Sequence, residues 1–153
     1  MYRVYFIALS LLFLHGCATE SQLTPLQMRE MQCRDLEGSF DHAYKATLQV
    51  FQDYGYIIKN SDYQAGVAQG ATATKRDKNW FWNGLMASSE ATATIEQFSA
   101  NVVKERITLI NKTKSSSQYG THENSRIVED PAIYQRMYDD IQKEMFVRKN
   151  LSK

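Results

Sequence analysis

Residues 39–55, SFDHAYKATLQVFQDYG, decide how the rest of the chain is read. Phe40, Ala43, Tyr44, Thr47, Leu48 and Phe51 recur at steps of three and four, which gathers them on one face of a helix. Asp41, Lys45, Gln49 and Gln52 fill the far side. Ser39 is a good N-cap residue, and Gly55 sits where a left-handed C-terminal cap is wanted. A helix with one apolar face needs an apolar partner surface, and the flanking segments supply strands for it.

Upstream, residues 28–36 alternate loosely, with Met31, Cys33 and Asp35 on one side and Gln32, Arg34 and Leu36 on the other, which predicts a first strand. Downstream, Gly55–Asn60 carries Tyr56, Ile57 and Ile58 and reads as a short strand. Ser61–Gln64 supplies a turn. Ala65–Thr74 is rich in small and β-branched residues, as in a strand that something approaches closely. Ala91–Phe98 and Val102–Lys114 restore alternation, with Val103, Ile107 and Leu109 sharing one face, and predict an antiparallel pair.

Between these strands, Lys75–Glu90 holds Trp80, Phe81 and Trp82 together, then Asn83-Gly84, Leu85 and Met86. Asn-Gly signals a turn, so the segment reads as a hairpin tip or loop. Its aromatics either fold back on the core or form an exposed apolar patch of the kind that meets a partner. The polar tract Lys114–Asn124 reads as a mobile loop. Asp130-Pro131 opens a last helix, with an N-cap and a proline at its first position. Ile133, Tyr134, Met137, Tyr138, Ile141 and Met145 form its buried stripe, and Phe146 and Leu151 pin the tail. The expected architecture is α+β, β-α-β-β-loop-β-β-α. It is a two-layer sandwich with an antiparallel sheet and two helices on one face.

The chain opens differently. Arg3 precedes an apolar run from Val4 to Leu14, and His15-Gly16-Cys17 follows. A charged residue, a short apolar region and a small residue at a cut describe a bacterial secretory signal. The run is about eleven residues, well short of the roughly 20 a membrane span requires. Cys17 directly after Gly16 points to a lipoprotein signal: cleavage before Cys17, a diacylglyceryl group on its thiol and an acyl group on its new amine. Residues 1–16 are then signal peptide, 17–27 a lipidated tether and 28–150 one α+β domain. Ala18 and Thr19 lack the Asp that marks retention at the inner membrane, which favours the outer membrane, facing the periplasm.

Removing sixteen of the 153 residues leaves 137, enough for one domain. Removing Arg3 from the 18 Lys and Arg leaves 17, against 17 Asp and Glu. A neutral chain offers no electrostatic footprint for nucleic acid, and its densest basic run, Lys75-Arg76-Asp77-Lys78, is interrupted by an acid. With Cys17 acylated, Cys33 is alone and reads as a buried, inert thiol. No His, Cys and Asp residues have metal-ligand spacing. Gly66–Gly70 falls inside a strand pattern and is no phosphate loop. Asp139-Asp140 reads as surface charge, and Glu129-Asp130 as helix capping. These residues predict no reaction chemistry, no metal and no cofactor beyond the lipid on Cys17.

Three stretches together resemble a group of small, functionally uncharacterised proteobacterial outer-membrane lipoproteins. They are Arg29–Arg34, Leu48–Tyr56 and Val128–Tyr134 running on to Phe146. In that group an arginine-flanked strand leads into a similar helix end, and Asp-Pro opens a terminal helix with spaced aromatics. The resemblance covers residues 28–150 and its motifs are structural. The aromatic insert at Lys75–Glu90 and the Ser-rich tract depart from the group's pattern. The expected fold is also similar to the helix-grip domains of a lipoprotein of the outer-membrane barrel-assembly machine, which implies a fold and no function. The expectation is a non-catalytic accessory or interaction subunit of an outer-membrane assembly or secretion complex. It would contact the bilayer through Cys17 and an envelope protein through Trp80, Phe81, Trp82, Leu85 and Met86. The alternative is a carrier or sensor of a small apolar ligand held near Ala65–Thr74.

Overall fold

Ser39 lies in extended backbone and its hydroxyl oxygen accepts from the His42 amide at 3.4 Å, so the first long helix starts at Phe40 as its cap predicts. The computed structural model describes residues 23–76, 85–117 and 120–151. In chain order these form α1 (Pro25–Gln32), β1 (Cys33–Glu37), α2 (Phe40–Asp53), β2 (Tyr56–Asp62), β3 (Val67–Thr72) and β4 (Lys75–Arg76). There follow β5 (Met86–Ser99), β6 (Val102–Ser117), β7 (Gly120–Ile127) and α3 (Pro131–Leu151). The molecule is α+β, with an open antiparallel sheet of seven strands and three helices among the described residues.

The sheet runs β1-β6-β5-β3-β2, with β4 beside β5 and β7 beside β6. Strand β6 is long enough to serve two partners on one edge. Its first part pairs with β1 from Glu37↔Val102 to Cys33↔Arg106, and its second with β7 from Ile110↔Ile127 onward. Leu36, Ala68, Ala91, Ala93, Ile95, Val103, Ile107 and Leu109 come from alternate strand positions. They join one buried cluster with Ala43, Tyr44, Val50 and Phe51 of α2 and Tyr134, Met137, Tyr138, Ile141 and Met145 of α3.

Two expectations are corrected. The first strand is not 28–36: α1 occupies most of that stretch and β1 begins at Cys33. Pro25 starts this helix, while Thr24 accepts from the Gln27 amide and Gln27 reaches back to the Thr24 amide. This capping box outweighs a weak alternation, and it places helix inside the stretch read as tether. The polar tract Lys114–Asn124 is not a loop, since β6 continues through Ser117 and β7 pairs with it, as in Lys112↔Ser125 and Lys114↔Glu123. Every residue of β7 is exposed, so no buried face stamps an alternation on its sequence. Lys75↔Ala87 and Arg76↔Met86 form an antiparallel pair at the two ends of the aromatic insert, in keeping with its reading as a hairpin.

Gly66 makes the β2–β3 turn possible. Its φ is +65°, and a Cβ there would stand 2.2 Å from the Ile95 carbonyl oxygen. The Gly66 carbonyl meanwhile accepts from the Ile95 amide at 2.8 Å. Gly66→Ala is expected to cost about 2–3 kcal/mol, combining a left-handed penalty with a backbone collision. A urea midpoint unchanged from the parent would refute that reading of the turn.

Candidate functional site

The inward positions of β6 read Val103, Glu105, Ile107, Leu109, and all four are buried. A carboxyl thus stands in a row of aliphatic side chains, where an ionised group is costly. Thr47 of α2 meets it: the Thr47 hydroxyl oxygen is 2.8 Å from Glu105 Oε1 and also 2.8 Å from the Ala43 carbonyl oxygen. A hydroxyl has one proton to give. Thr47 faces both the Ala43 carbonyl and Glu105 Oε1 with that single proton, so it can offer an ionised carboxylate only a shared hydrogen bond. Glu105 Oε2 finds no partner among the described residues. Burial pushes the Glu105 carboxyl up to about 8, with the Thr47 hydroxyl working in the opposite direction.

Beside it, two phenols close a gap in the sheet. On the shared edge of β6, β1 ends at Arg106 and β7 begins at Ile110, which leaves the Ile107 and Leu109 amides without a strand. Tyr138 accepts from the Ile107 amide at 3.0 Å and Tyr134 from the Leu109 amide at 3.3 Å. Each hydroxyl passes its own proton onward, Tyr138 to the Gln32 carbonyl and Tyr134 to the Val128 carbonyl. The spacing explains why one helix serves both sites. Four residues of α-helix rise ~6 Å and two residues of strand ~6.7 Å, so an i, i+4 pair matches an i, i+2 pair. Burial raises both phenols above their ordinary range, and for Tyr138 the Glu105 carboxyl adds to the effect.

Gln32 ties α1 into this corner. It is almost wholly buried, its carbonyl takes the Tyr138 proton and its side-chain oxygen accepts from Arg106 at 3.0 Å. Arg34 lies over the Tyr138 ring, 5.5 Å from its centroid, and donates to Gln135. Two clefts open nearby. One, of about 410 Å³, lies between Gly38, His42 and the α3 side chains Gln142, Phe146 and Lys149. The other, of about 510 Å³, is lined by Leu26 and Arg29 of α1, Cys33, Arg34 and Asp35 of β1, and Lys104 of β6. Glu105 lines neither of them.

The residues singled out from sequence fall into two groups. Cys17, Trp80, Phe81 and Trp82 lie outside the described residues. Leu85 and Met86 are half-buried at the start of β5, where Met86 pairs with Arg76 and Lys114. Cys33 is half-exposed at the second cleft, more open than an inert core thiol. The small residues of β3 are in close contact with neighbours: Ala68 is fully buried, a Cβ on Gly70 would come within 3.0 Å of Tyr56, and Tyr44 donates to the Val67 carbonyl. Phe146 and Leu151 are exposed rather than pinned on the core. Among the described residues no group of three His, Cys, Asp or Glu side chains is placed to hold a metal ion. No described helix is long and apolar enough to cross a membrane. The chain matches no protein-family model and no curated protein sequence.

Sequence reasoning passed over Glu105 and the two phenol hydroxyls, and read Thr47 only as part of a helical stripe and Gln32 only as part of a strand. A signal for Glu105 was present, because it interrupts the inward row Val103, Ile107, Leu109. The tyrosines were visible only as apolar residues of a helical stripe. Nothing local marks the gap between β1 and β7 that their hydroxyls fill.

Proposed function

We propose that this chain is a non-catalytic lipoprotein, held by acyl groups on Cys17 at the outer membrane and facing the periplasm as an accessory or interaction subunit of an assembly or secretion complex. In this reading α2 and α3 cover one face of the sheet as a two-layer sandwich, and the aromatic segment with Trp80, Phe81 and Trp82 meets the protein partner, flanked by Leu85 and Met86. The observation that carries the proposal is the order Arg3, apolar run, Gly16, Cys17. The use made of the buried polar groups supports it. Glu105, Thr47, Tyr134 and Tyr138 hydrogen-bond to backbone or to one another within the core, an arrangement that maintains a fold. More than one acyl chain holds a protein firmly, since each buried methylene adds about 0.8 kcal/mol.

Cys17→Ser tests the anchor. The parent is expected to mature with the added mass of its acyl chains and to fractionate with membranes, whereas the variant should lack that mass and leave the membrane fraction. Identical mass and fractionation for the two chains would overturn the proposal.

A further inference from the structure

Helix α1 begins at Pro25, and its cap, Thr24, stands only seven residues beyond Cys17. At ~3.3–3.6 Å per residue, that length of chain reaches no more than ~25 Å. A lipid on Cys17 therefore brings α1, and whatever surface it belongs to, close to the headgroups. Of all the faces of the domain, this one has the least freedom to turn away.

The surface suits that position. Gln32 is buried and Met31 packs on the core, so α1 turns Leu26, Arg29 and Glu30 outward. Leu26 is 67 % exposed. It lines the cleft with Arg29, Cys33, Arg34, Asp35 and Lys104. At the far side Lys104 sits over the ring of Phe98, 4.7 Å from its centroid, and Phe98 is 69 % exposed. Leu26 thus lines the groove and Phe98 adjoins it through Lys104, and the groove's charges are Arg29, Arg34 and Lys104 against Glu30 and Asp35, with Lys104 3.9 Å from Asp35. Apolar side chains entering the headgroup boundary beside cations are the chemistry of interfacial binding. The charge excess is small, and the patch would not recruit a free protein. A short tether removes that requirement, because it makes docking intramolecular at an effective concentration near the millimolar range.

We propose that the groove between α1 and β6, lined by Leu26 and adjoined by Phe98, is a lipid-docking face that lies on the headgroup surface and fixes the orientation of the domain. This rests on the acylation of Cys17 and deepens it, naming the bilayer as a second, non-covalent partner. The opposite end of the sheet, where β5 begins at Met86 beside Lys114 and β7 begins at Gly120, then points away from the membrane.

Cys33 provides the reporter, since it lines the groove and is the free thiol left once Cys17 is acylated. The purified full-length lipoprotein would be labelled there with a small fluorophore and reconstituted in vesicles of phosphatidylethanolamine and phosphatidylglycerol. Some of the lipid would carry a nitroxide near the headgroup. The parent is expected to be quenched about fivefold more strongly than a Leu26→Glu/Phe98→Glu chain in the same vesicles, because the acidic side chains resist the interface. Both substituted positions are exposed, so folding is spared, and circular dichroism of the two chains should superimpose. Equal and weak quenching in an acylated parent overturns the docking face while leaving the anchor intact. Protection from aqueous iodide without lipid quenching means a second copy covers the groove, and also overturns it. A chain whose mass lacks acyl groups and which takes up two labels overturns the anchor and the docking face together.

Discussion

At pH 8 a Glu105→Met chain is expected to be more stable than the parent by about 3 kcal/mol or more, and the gain should vanish near pH 4.5. Unfolded, this carboxyl titrates at its ordinary 4.5; folded, burial pushes it up to about 8. Below 4.5 both states hold the proton and ionisation contributes nothing. Between 4.5 and 8 the unfolded chain releases a proton that the folded chain must keep. Stability therefore falls by about 1.4 kcal/mol for each pH unit across this window and levels off above it. The groups facing the carboxyl explain why it stays protonated. Thr47 of α2 has a single proton and a competing acceptor, Tyr138 of α3 is a phenol kept neutral by burial, and Ile95 of β5 is aliphatic. Arg34 is the cross-strand partner on β1, but its guanidinium goes to the Tyr138 ring and Gln135. Urea unfolding at several pH values between 4 and 9 measures the difference between the two chains. Parallel pH profiles for parent and variant would mean that Glu105 is not the titrating group.

Tyr138→Phe is expected to destabilise the fold by about 3 kcal/mol, an unusually large effect for the loss of one oxygen. The ring and its packing survive, but the Ile107 amide and the Gln32 carbonyl both lose their partner in a buried place. Each orphaned group costs about 1–3 kcal/mol. Tyr134→Phe should cost less, because the Leu109 amide is held at a longer 3.3 Å and the Val128 amide still bonds the Leu109 carbonyl on the same edge. Amide exchange separates the mechanism from general loosening. Ile107 should lose protection in Tyr138→Phe well beyond the loss seen at Ile95. A midpoint within about 0.5 kcal/mol of the parent would show that water or another group replaces the hydroxyl.

Both effects depend on contacts between residues far apart in the chain, and that divides what could be read locally from what could not. The caps and apolar stripes of α2 and α3 were legible: Ser39 and Asp130 accept backbone amides near the starts of these helices, and Tyr134, Met137, Tyr138, Ile141 and Met145 are all buried. The alternation of β5 and β6 was legible where one side of each strand is buried, and illegible beyond it, where β7 is exposed throughout. Helix α1 was hidden because its eight residues bury little, and a capping box rather than an apolar stripe starts it.

By itself, the order of residues determined the α+β class, the antiparallel pairing at the centre of the sheet, the two long helices, and the signal-like start ending at Cys17. Each of these depends on periodicity or on a short run of neighbours, which one sequence displays directly. Only the tertiary structure decided that Glu105 is enclosed by Thr47, that two tyrosines complete the edge of β6, and that Phe98 adjoins the groove Leu26 lines. The distances that create those sites join residues 25 to 106 positions apart, and a side chain's protonation and partners follow from what surrounds it in space.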